Sequence, residues 1–168
     1  MIELVGWLNA LNREDRAWFL DWGTLWKGQA RTSNCSMQMI SPAFYERFVL
    51  PRDRRLFAAI GGGRMHYCGA HAQVIRSFFS IPDLSGFDYD GNLHDLWLLS
   101  DMAPERLTLR QAIGYRSPTL ARLLAGDWPR KRNLNLVFEA PSIEEGRALL
   151  GALRRSLECG SHAPALDS

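Results

Sequence analysis

His66, Tyr67 and Cys68 set an imidazole and a thiol two residues apart. On a strand, such a pair projects from one face, so the two groups can share one ion. Zinc takes Cys sulfur and His nitrogen in tetrahedral sites, and a catalytic site keeps one position open for water or a substrate. Two ligands do not complete a site, and the third is expected from another strand end, where Cys35 and Glu139 are the candidates. Without a metal, Cys35 and Cys68 are small buried hydrophobes and His66 is a hydrogen-bonded core residue. Asp88, near the end of a further strand, is the candidate catalytic acid or base. Its neighbour Asp90 precedes Gly91 and reads as turn chemistry. His71 and His94 each open a helix and read as surface residues, and Tyr67 faces away from the pair and reads as packing.

These groups need elements to position them. Leu4, Trp7, Leu8 and Leu11 follow helical spacing, and Asn12 with Asp15 predicts a second short helix through Trp18 and Trp22. Four of the six tryptophans fall in the first 26 residues, as packing or as lid material. From Asn34, NCSMQMIS reads as an extended run carrying Cys35; Ser41 and Pro42 then cap a helix towards Ile60, with a kink near Leu50 from Pro51. Gly61, Gly62 and Gly63 end that helix, and a strand from Arg64 to Cys68 follows. Helix and strand then alternate: a helix with Val74, Ile75, Phe78 and Phe79; a strand from Gly86 to Tyr89; a helix with Leu93, Leu96, Trp97 and Leu98; a strand from Leu107 to Arg110; and a short helix from Thr119 to Leu124. NLNLVFEA is the last strand, and Ser142 with Glu145 forms a capping box for a helix with Leu149, Leu150, Leu153 and Leu157 on its apolar face.

The expected class is therefore α/β, with about five parallel strands and flanking helices whose loops converge on a ligand at the strand C-terminal ends. Residues 1–32 read as a helical, Trp-rich segment, residues 33–158 as the sheet-bearing unit and residues 159–168 as a flexible tail. A chain of 168 residues with 46% apolar and 23% charged content suits a single core. Its net charge of +2 is too small to indicate nucleic acid, and the short basic run Arg130-Lys131-Arg132 reads as a solvated loop. No stretch reaches the roughly 20 apolar residues of a membrane span. Three widely spaced cysteines, Cys35, Cys68 and Cys159, suit a reducing compartment, and a soluble, cytoplasmic protein is expected.

The run ISPAFYERFVLPRDRRLFAAIGGGRMHYCG, residues 40–69, resembles a segment of the uroporphyrinogen decarboxylase superfamily. In that segment a Ser-Pro helix with an internal proline precedes a strand ending in His-x-Cys-Gly. The strand at GFDYD and the terminal strand and helix fit the same order, so the resemblance extends from Ser33 to about Leu157. It implies a partial (β/α)8 TIM barrel that lacks its first three strands, with an open edge for a second copy or a complementing subunit. It also implies one of two chemistries: decarboxylation of a tetrapyrrole, or zinc-dependent methyl transfer between a corrinoid carrier and a thiol. In the methyltransferase branch the His-x-Cys motif supplies two zinc ligands, which fall on His66 and Cys68. That branch takes its third ligand from a cysteine nearer the C-terminus, where this chain has Glu139, with Cys159 beyond the last helix. The implied substrate is a small molecule or a corrinoid protein. The alternatives are a non-catalytic module that binds a tetrapyrrole or corrinoid, and a truncated, inactive fragment.

Overall fold

The computed structural model describes residues 2–12, 17–130 and 133–160. Helix α1 (Ile2–Asn12) opens the chain as its spacing predicts. The second predicted helix is instead a hairpin, β1 (Trp18–Asp21) and β2 (Thr24–Lys27), paired antiparallel. Its two-residue loop, Trp22-Gly23, has positive φ at both positions (50° and 69°), the backbone that matches the twist of the flanking strands. Aromatic and β-branched residues in this stretch favour strand pairing, which overrides the helical spacing of the tryptophans. Asp15, the expected cap, lies outside the described residues, as do Lys131, Arg132 and residues 161–168.

Five strands then form one open parallel sheet: β3 (Ala30–Ser33), β4 (Gly63–Tyr67), β5 (Leu84–Tyr89), β6 (Thr108–Ile113) and β7 (Leu134–Phe138). They lie side by side in chain order, with β3 and β7 at the edges. The expectation of an α/β chain with five parallel strands holds, and the sheet does not close into a barrel. Two boundaries move. The strand expected over NCSMQMIS is β3, four residues earlier, and Cys35–Met39 forms a 3-10 turn instead. The expected division between residues 32 and 33 therefore cuts through β3.

The helix-facing side of the sheet carries the core. Register aligns Met65 with Phe87 and Phe87 with Leu109, and these pack on Val74, Ile75, Phe78 and Phe79 of α4 (Ala72–Phe79) and on Leu96 and Leu99 of α5 (Leu96–Met102). Below them, Ile113 meets Leu120 and Leu123 of α6 (Pro118–Leu124) and Leu149 and Leu153 of α7 (Ile143–Gly160). Leu150 and Leu157 stay exposed, so the buried stripe of α7 is narrower than its leucine pattern suggests. Cys159 falls within α7, not beyond it. The helix after β3 is broken as expected: α2 (Pro42–Phe44), a π-helical turn over Tyr45–Val49, then α3 (Leu50–Ala59) with Pro51 in its first turn. Ser41 and Ser142 cap their helices as the sequence predicts, and Asp95 and Ser117 cap two more; each accepts a hydrogen bond from the backbone NH three residues on.

The opposite face is polar and lies under the hairpin. A Cβ at Gly86 would meet the Trp26 ring at 2.3 Å, so only glycine lets β2 lie so close to β5. Arg64, fully buried on this face, stacks its guanidinium 5.0 Å from the Trp26 ring. Among the described residues no helix is long and apolar enough to cross a membrane.

Candidate metal centre

Parallel register places one residue from each strand in a single row across the polar face. Ser33 pairs with His66, His66 with Asp88, Asp88 with Arg110 and Arg110 with Asn135. On β3, β4 and β5 the row lies at the strand C-terminal ends, where the chain after β3 enters the 3-10 segment that carries Cys35 near Cys68, just past β4. The ligand atoms of Cys35, His66 and Cys68 lie within 4.8 Å of one another. Zinc–sulfur bonds of about 2.3 Å at tetrahedral angles place ligand atoms roughly 3.8 Å apart, so side-chain adjustments of an ångström complete the geometry. The donor set, two thiols and an imidazole, suits zinc and leaves one position open.

Asp88 orients the imidazole. Its Oδ2 lies 2.9 Å from His66 Nδ1, which fixes the proton on Nδ1 and leaves Nε2 as the ring nitrogen free to ligate, the carboxylate–histidine arrangement of zinc sites. Asp88 is itself held. Its Oδ1 lies 2.7 Å from Nη1 of Arg64, and Arg110 Nη1 stands 3.8 Å from its Oδ2. The Arg64 contact brings the charges together without hydrogen-bond alignment, and Arg64 Nη1 and Nη2 have no aligned acceptor. On its other side Arg64 donates through Nε to Asp21 at 2.5 Å and pairs through Nη2 with the same carboxylate. One buried guanidinium thus joins a hairpin aspartate to the aspartate behind His66.

The two thiols are not equivalent. Burial opposes ionisation of Cys35, but hydrogen bonds from Cys68 and Ser33, with Arg31 nearby, outweigh it and hold Cys35 below the ordinary thiol value. Cys68, which is exposed, is pushed up by the same hydrogen bond to Cys35, with burial adding to it. Ionisation of Cys35 is thus favoured over that of Cys68, and a bound metal ion would favour the thiolate of both.

The structure thus brings together Cys35, His66, Cys68 and Asp88, and it separates Glu139 from them. Glu139 follows β7 and lines a cavity of about 700 Å³ over the ends of β5–β7. Asp90 accepts hydrogen bonds from the backbone and side chain of Asn92, as its turn chemistry predicts. Tyr67 is buried in the core as expected. His94 departs from expectation: it is 7% exposed, not a surface residue, and its Nε2 lies 2.7 Å from the Gly69 carbonyl. Sequence reasoning missed Asp21, Arg64 and Arg110 as supports of the site. The alternation of Arg64 and His66 with Met65 and Tyr67 on β4 marks a polar sheet face, but the partners of Arg64 lie on other strands, Asp21 on β1 and Asp88 on β5, and the register is not written in any one of them.

No protein-family model, curated protein or solved structure matches the chain.

Proposed function

We propose that this chain holds zinc through Cys35, His66 and Cys68 and uses it to activate a thiol that accepts a methyl group from a corrinoid-type donor. The observation that supports this is the three-atom cluster with an open fourth position and an aspartate behind its imidazole. When bound, zinc lowers the pKa of a thiol at that open position and makes it nucleophilic. The chain's residues supply the remainder. Asp88 holds the His66 ring, and Arg64 and Arg110 stand 2.7 and 3.8 Å from its carboxylate oxygens. In the same reading the consecutive parallel strands are a segment of a (β/α)8 barrel of the uroporphyrinogen decarboxylase type. A second copy or a complementing subunit covers an edge at β3 or β7. Cys35 then takes the place of the family's C-terminal cysteine, and Glu139 is not a ligand.

Tetrapyrrole decarboxylation has less support. It needs free cations for the substrate carboxylates, and the buried arginines of the polar face are engaged by Asp21 and Asp88. A non-catalytic corrinoid-binding module shares the scaffold and is separated by metal content. Elemental analysis of the purified protein tests the proposal: about one zinc per chain is expected, lost in His66→Ala and Cys68→Ala. A zinc-free protein that also fails to take up added Zn²⁺ refutes it.

A further inference from the structure

We propose that Cys35 and Cys68 form a reversible disulfide, and that this bond and the metal ion are alternative occupants of the same strand ends. The bond needs only the two thiols; its meaning as regulation of the centre rests on the zinc reading.

Distance across the fold is the first support. The two residues leave neighbouring parallel strands, each two positions past the paired Ser33 and His66, and their sulfurs lie within 4.8 Å of each other. A disulfide holds its sulfurs about 2.05 Å apart and its Cβ atoms about 3.5–4.5 Å apart, so closing the bond takes side-chain rotation and a small backbone shift. Cys68 lies in irregular chain just past β4 and is exposed, so its rotation meets solvent rather than packed atoms.

Anchoring is the second. Asn34, the neighbour of Cys35, is buried, and its backbone NH donates to the His66 carbonyl at 2.9 Å. Its side-chain amide donates to Asp53 of α3 at 2.8 Å, and the buried Tyr45 hydroxyl donates to the same carboxylate oxygen at 2.6 Å. Cys35 is thereby held beside β4. Folding has already closed the long loop between the two cysteines, so the last step carries little further loop-closure entropy.

Access is the third. Cys68 is exposed and Cys35 half-buried, so a small reagent meets Cys68 first while Cys35 stands beside it. The oxidant is a low-molecular-weight disulfide. The Cys68 sulfur, as thiolate, attacks one of its sulfurs and a small thiolate leaves; the Cys35 sulfur then attacks the Cys68 sulfur of the mixed disulfide, and the second small thiolate leaves. The two protein thiols lose two electrons and two protons, and the small disulfide takes them up to become two thiols. The closed bond removes two of the three donors and leaves His66 alone, so the centre loses its ion. A bound ion in turn engages both sulfurs and blocks the exchange. Oxidation empties the centre and reduction restores it.

The test uses the full wild-type chain, first freed of metal by a chelator. It is incubated with glutathione disulfide near neutral pH, quenched with N-ethylmaleimide, digested and mapped by mass spectrometry. A Cys35–Cys68 link within one chain, formed with the circular dichroism spectrum unchanged and reopened by dithiothreitol, is expected. A stable glutathione adduct at Cys68, a link to Cys159 or to a second chain instead, or a link that forms only in urea overturns the inference. A second arm compares zinc-loaded with metal-free protein: the ion slows bond formation at least tenfold, and the oxidised protein retains no Co²⁺ by elemental analysis. Equal rates with zinc bound, or Co²⁺ held by the oxidised protein, refute the regulatory claim. Zinc uptake without any link leaves the metal reading and removes this one; a link in a protein that binds neither ion does the reverse.

Discussion

Replacing Asp88 with Asn keeps its shape and removes its charge, which tests the link between the buried ion pairs and the metal centre. Two losses are expected. First, Arg64 is fully buried and loses one of its two carboxylates. Breaking a buried pair costs about 3–5 kcal/mol; because Asp21 still receives the Arg64 Nε at 2.5 Å, the lower end, about 3 kcal/mol, applies. With a urea slope near ~2 kcal/mol/M, the midpoint of the metal-free protein falls by about 1.5 M. Second, His66 Nδ1 exchanges a carboxylate acceptor at 2.9 Å for a neutral amide, which lowers ligand basicity and weakens zinc by about 10–100-fold. Competition against a chromophoric chelator, at a urea-free pH of 7.5, reads that factor directly on folded protein. An Asp88→Asn protein with the wild-type zinc affinity would show that Asp88 does not support the imidazole, and an unchanged midpoint would show that Arg64 is not held by it.

Four further outcomes follow from the same geometry. Glu139→Gln leaves zinc content unchanged by elemental analysis, since Glu139 lies outside the three-residue cluster; loss of zinc would return it to the ligand set. In metal-free Cys159→Ser protein, thiolate absorbance near 240 nm rises in two steps, one below and one above the ordinary thiol value, because Cys35 is lowered and Cys68 raised; a single step contradicts the hydrogen-bonded pair. Asp53 has its carboxyl raised above 3.8 by burial, against hydrogen bonds from Tyr45 and Asn34. Its folded value exceeds its unfolded one, so stability falls as pH rises through the folded value, and Asp53→Asn raises the urea midpoint at pH 7 by an amount that shrinks towards pH 4. Gly86→Ala drives a methyl group into the Trp26 ring and costs about 1–3 kcal/mol, read as a lower thermal midpoint with altered tryptophan fluorescence.

Much of the architecture is legible in local pattern. The helix caps at Ser41 and Ser142 depend on side chains reaching backbone groups three residues away, and the glycines after Ile60 supply a turn with positive φ at Gly61 and Gly62. The pairing of His66 with Cys68 is likewise a matter of two-residue spacing. The hairpin and β3 were not legible in the same way. Tryptophans at helical intervals also fit a strand pair once Trp22 and Gly23 adopt positive φ, and Ala30–Ser33 becomes a strand only because β4 offers it hydrogen bonds.

The sequence by itself determined which chemistry is within reach: two thiols, an imidazole and a carboxylate, carried on alternating strands and helices. The tertiary structure decided which of them meet. Cys35 lies 31 positions before His66, and the choice between it and Glu139 rested on which strand neighbours β4. Parallel pairing sets β3 and β5 beside β4 and leaves β7 at the far edge, so Cys35 and Asp88 reach His66 while Glu139 faces another cavity. The physical reason is that a strand's side-chain direction is local, with a period of two, whereas its register and neighbours come from burying one face of every strand at once.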